Sequence, residues 1–112
     1  VKELKDLRIY SKALELVGKT YCLIRNNNSL QKDYSLCDQL KRASVSVPAN
    51  ISEGYFRSTK QSQNYLHIAS GSANEMMTLL RVVQLVNKID TTSLIEEYLL
   101  LAKQIIAFSK SF

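Results

Sequence analysis

Tryptophan is absent from this 112-residue chain, proline and histidine occur once each, cysteine twice and glycine three times. Each shortage excludes something. A β-sandwich or barrel turns roughly every ten residues and spends glycine and proline on those turns, so an all-β fold is excluded. Cys22 and Cys37 stand far apart with no CxxC spacing. They read as small apolar fillers in a reducing compartment rather than as a disulfide framework or a thiolate metal site. No stretch reaches the ~18 apolar residues of a membrane span, and the opening "VKELKDLRIYSK" lacks the apolar centre of a signal peptide. The expected location is the cytoplasm, without membrane attachment.

The catalytic inventory is equally thin. His67 has no Cys, Asp or Glu three or four residues away, so it carries no metal-ligand spacing. The three glycines are too scattered to cradle a phosphate, and no nucleophile elbow or Glu-x-x-His pair is present. The reading is a non-enzyme without metal or cofactor.

What is present is helix. Apolar residues make up 46% and charged residues 22%, enough apolar surface for one folded domain over residues 1–112. Leu7, Tyr10, Leu14, Val17, Tyr21 and Ile24 step by three and four, which predicts a first helix over about 6–26 with Asp6 as N-cap. The run "NNNS" stops it. Leu36, Leu40, Ala43, Val47 and Ile51 mark a second helix over about 35–53, opened by Ser35 with Asp38 and closed by Gly54 at a positive-φ position. Ser58 with Gln61 forms a capping box for a third helix over about 59–88, with a seam of Leu66, Ala69, Ala73, Met76, Leu80 and Val83. Ser93 with Glu96 caps a fourth over about 93–109, apolar on more than one side. Short connections make neighbours antiparallel, so the expected fold is all-α, an up-down-up-down four-helix bundle. The second helix should be kinked at Pro48, which has no N–H for the carbonyl of Ser44.

Polar residues run along that second helix. Gln39, Arg42, Ser46, Asn50 and Glu53 form one stripe, and "ASGSANE" on the third helix offers small residues with Ser72 and Glu75 opposite it. The expectation is a polar seam in which Arg42 pairs with Glu75 or Glu53; the competing reading turns these groups to water.

Charge is uneven. Residues 1–60 hold eleven Lys and Arg against six Asp and Glu, whereas 61–112 hold four against four, for a net +5. Lys5, Arg8, Lys12 and Lys19 share one face of the first helix, interrupted by Glu15, and Arg57 and Lys60 flank the second junction beside Tyr55 and Phe56. These six cations are the candidate nucleic-acid contacts, acting through phosphates without sequence preference. The alternative is an adaptor for an acidic protein or a polymerase. The broad apolar surface of the fourth helix demands burial and points to self-association.

The blocks "QLKRASVSVPANISEGYFR" and "YLHIASGSANE" resemble the two signature blocks of a bacterial four-helix-bundle family, the proteins encoded in intervening sequences of 23S ribosomal RNA genes. The opening "KDLRIYSKALELVGKTY" is similar to its first helix. The motif positions are Arg42, Ala43, Ser46, Pro48, Asn50, Ile51, Glu53, Gly54, Ala69, Gly71, Ser72 and Glu75. Tyr10 stands where tryptophan is usual, Ser52 where alanine is common, and "NSLQKDYSL" lacks the usual proline. The resemblance implies a ring-like homopentamer. It also implies kinship with the accessory variability determinant proteins of diversity-generating retroelements, basic pentamers that bind nucleic acid and a reverse transcriptase.

Overall fold

A computed structural model describes residues 3–4, 7–55 and 57–111, and among them there is helix and no strand. Five helices follow one another: α1 Arg8–Arg25, α2 Asn28–Gln31, α3 Tyr34–Tyr55, α4 Thr59–Asn87 and α5 Thr92–Ser109. α1 packs against α3 and α5, and α4 packs against the same two. The single turn α2 leans on α1, α3 and α4. The molecule measures 43 × 21 × 20 Å, its long axis matching the 29 residues of α4 at ~1.5 Å per residue.

The buried faces follow the expected periodicity on three helices. All five apolar positions read on α3 and all six on α4 lie in the core. On α5, Ile95, Tyr98, Leu101, Ala102 and Ile105 are buried, while Leu99 and Leu100 are exposed. α1 is rotated from its expected face. Its buried line is Ile9, Ala13, Leu16, Thr20 and Ile24, and Leu14 is exposed. α1 lies in the crevice between α3 and α5, where the small side chains of Ala13 and Thr20 admit close approach; Tyr10, Val17 and Tyr21 sit half-buried at the edges.

"NNNS" does end α1, but Asn28 and Ser29 also open the extra turn α2, which drives Leu30 fully into the core. Two side chains from this corner satisfy carbonyls that α1 leaves without helical partners: Asn27 Nδ2 donates to Leu23 O at 2.7 Å and Gln31 Nε2 to Arg25 O at 2.7 Å.

The expected caps are replaced by neighbours. α3 is capped by Asp33, whose Oδ1 accepts from Leu36 N at 3.1 Å, not by Ser35 with Asp38. Ser58 occupies the N-cap position of α4 without a side-chain cap bond. α5 starts ahead of Ser93, and Asp90 Oδ1 takes the Thr92 N–H at 3.0 Å. α1 starts at Arg8 with Leu7 at its N-cap position; Asp6 lies outside the described residues.

Gly54 does not end α3 at positive φ; the helix continues through it to Tyr55. Its value is space. A Cβ there would meet Tyr65 Cβ at 2.8 Å and Ser62 O at 3.2 Å, so the end of α3 and the start of α4 close on a bare backbone. Lys88 takes the left-handed conformation that ends α4, with φ of 59°.

Candidate functional site

α3 runs unbroken as helix through a buried Pro48. Side chains on either side of the proline bond to carbonyls that precede it: Ser44 Oγ donates to Lys41 O at 3.0 Å and Asn50 Nδ2 to Ser46 O at 2.8 Å. Asn50 Nδ2 also reaches Ser46 Oγ at 3.0 Å, and Ser46 Oγ meets Ser72 Oγ of α4 at 2.8 Å. The structure therefore joins Ser46, Asn50 and Ser72 into a half-buried polar link between α3 and α4.

The charged members of the expected seam stay outside it. Arg42 Nε pairs with Asp38 at 3.0 Å, one turn back on α3, with both side chains largely in water. Glu53 pairs with Arg57 at 2.9 Å, and Gln39 and Glu75 are exposed. The polar groups that meet between the two helices are two hydroxyls and one amide, not a guanidinium. Charges held at the surface contribute little, so the link rests on its neutral groups.

The basic face of α1 is not a free field of cations. Lys12 Nζ contacts Glu15 at 2.7 Å and Glu97 of α5 at 3.0 Å; Lys19 Nζ contacts Glu97 at 2.8 Å and Glu15 at 3.6 Å. Two cations and two carboxylates close a neutral cluster that ties α1 to α5. Hydrogen bonding to Glu15, then to Glu97, raises the pKa of Lys12, and hydrogen bonding to Glu97 raises that of Lys19. Hydrogen bonding from Lys12 lowers that of Glu15. Burial pushes the Glu97 carboxyl up, but the hydrogen bonds from Lys19 and Lys12 outweigh it and the net shift is down. Arg57 is committed to Glu53 and lies 5.7 Å from the Tyr65 ring centre. Of the six candidate phosphate contacts, Arg8 and Lys60 are exposed with no ion pair among the described residues, and Lys5 lies outside them. Glu97 is the partner that separate reading of each helix misses, because the pairing exists only once α5 lies beside α1.

Exposed apolar side chains form the other feature. Leu85 is 71% exposed and Val86 59%, at the end of α4, with Ile68 and Val82 along the same helix. Leu100 is 55% exposed on α5, next to Leu99. Tyr55 packs half-buried against the core, and Phe56 lies outside the described residues.

His67 is exposed, and among the described residues no three metal-binding side chains are grouped. Cys22 and Cys37 are free thiols. Burial raises the Cys37 thiol pKa, and its Sγ–H donates to Leu30 O at 3.0 Å. Among the described residues, no helix is long and apolar enough to cross a membrane. No curated protein and no solved structure matches the chain. The family described as 23S rRNA-intervening sequence protein matches residues 5–110, and the protein belongs to that family.

Proposed function

We propose that the protein is a non-enzymatic, self-associating binding module whose partners are protein surfaces, its own copies first. The scaffold we propose is the antiparallel up-down-up-down bundle of α1, α3, α4 and α5, with α2 a connector and α3 bent at Pro48. Packing of α1 and α4 each against α3 and α5 supports that topology, as do the short links between successive helices. The observation that carries the functional reading is the uncovered apolar surface of α4 and α5, above all Leu85, Val86, Leu99 and Leu100. Large apolar side chains left in solvent on two neighbouring helices support an interaction surface. The family resemblance, which implies a ring of five, supports self-association in general. Two free thiols fit a reducing cytoplasm as the location.

Nucleic acid is the second reading. The net charge of +5 and the exposed Arg8 and Lys60, without an ion pair among the described residues, favour it. The neutral cluster of Lys12, Lys19, Glu15 and Glu97 weighs against it, since those carboxylates repel the phosphates the lysines would attract. The test is a gel shift of generic duplex RNA and DNA at about 50 mM and about 200 mM salt. The proposal expects no discrete complex at either salt. A complex formed at low salt and dispersed at high salt would overturn the protein-partner reading in favour of phosphate binding.

A further inference from the structure

The outward face of α5 carries a carboxylate and an ammonium that have no partner among the described residues. Glu96 and Lys103 are both exposed, and neither takes part in an ion pair among the described residues. Seven residues of helix separate them by roughly 10.5 Å along the same face, too far to pair with each other. Leu99 and Leu100 lie midway between them and are themselves exposed.

This pattern is self-complementary in one orientation only. A second copy of α5 laid parallel in register sets carboxylate on carboxylate and ammonium on ammonium, which repel. Laid antiparallel about a two-fold axis between Leu99 and Leu100, it sets Glu96 opposite Lys103 twice, with four leucines between the two ion pairs. The same register puts Thr92 opposite Ala107, a small exposed residue that lets the helix ends close. The contact then runs over 16 residues, roughly 24 Å. Water is excluded from the ion pairs by the leucines, which is where such pairs gain strength over exposed ones.

We infer that α5 is a two-fold docking surface for a second copy of this chain, centred on Leu99 and Leu100 and registered by reciprocal Glu96–Lys103 pairs. The inference rests on the self-association proposed above and names its surface. A two-fold contact pairs single copies, or pairs whole rings where other faces build a ring.

Charge exchange tests it. Wild type, Glu96→Lys, Lys103→Glu and the double exchange are compared by sedimentation equilibrium over a concentration series, with circular dichroism as the folding control. Both side chains are exposed, so all four proteins keep the helical spectrum. Each single exchange places like charges across the axis and weakens the pairing at least about tenfold, halving the molar mass at intermediate concentration. The double exchange restores complementarity and the wild-type mass. Leu100→Asp, at the centre of the contact, reproduces the loss. Single exchanges that assemble like wild type, or a double exchange that fails to recover, would overturn the two-fold contact while leaving self-association through other faces intact. A wild type that stays monomeric throughout would overturn both.

Discussion

At the scale of single residues, the most demanding contact in the core is a hydroxyl pair. Thr20 Oγ1 donates to Leu16 O at 2.8 Å and lies 3.0 Å from Tyr98 Oη, with both side chains fully buried. The one Thr20 hydrogen is committed to Leu16, so Tyr98 is the donor between them. Burial pushes the Tyr98 pKa up to about 12, which keeps that donor in place across the ordinary pH range. The two deletions are therefore unequal. Thr20→Val strands the Tyr98 hydroxyl in the core and costs about 1–3 kcal/mol; Tyr98→Phe leaves Thr20 bonded to Leu16 and costs less, about 0.5–1.5 kcal/mol. Urea unfolding of the two variants checks the order. Tyr98 was legible as a core residue from its place on the apolar stripe of α5. Thr20 was not, because hydropathy gives a threonine no reason to be inside until its partner is known. Arg42 is the opposite case: its partner, Asp38, lies one turn away on the same helix rather than across the seam.

At the scale of elements, helix positions were legible and helix ends were not. The three- and four-residue steps located α3, α4 and the core side of α5. Capping depends on which of several adjacent polar residues turns toward the backbone, and Asp33 and Asp90 did so where serines had the better spacing. The junction of α1 and α5 was invisible for a related reason, since its four charges come from two helices 78 to 85 residues apart. That junction has a pH signature. The Glu97 pKa is lowered on folding, so its contribution is complete above the unfolded carboxylate value of about 4.3 and is lost as pH falls through the folded value. The Lys12 and Lys19 values are raised, so their contribution is complete below about 10.4 and is lost as pH rises through theirs. Thermal melts of wild type and Glu97→Gln are expected to differ by a few degrees between about pH 5 and pH 10 and to converge in acid below the folded carboxylate value. A constant offset down to pH 2 would mean that the carboxylate acts through packing rather than charge.

At the scale of the whole molecule, the outer surface carries apolar side chains that the core does not use. The sequence placed too many apolar residues on the last helix for one core, and Leu99 and Leu100 remain outside it. It also suggested a basic stripe interrupted only by Glu15; folding adds Glu97, and the two carboxylates together offset Lys12 and Lys19, half of the stripe's four cations. Surface apolarity is thus the larger departure from an ordinary monomer, and self-association is what we propose it serves. Light scattering coupled to size exclusion, over a dilution series at moderate salt, measures it most directly. The expected molar mass is at least twice the 12.7 kDa of one chain, held over at least a tenfold dilution as roughly micromolar or tighter affinity requires. A mass of 12.7 kDa at every concentration, with α4 and α5 still folded, would contradict it.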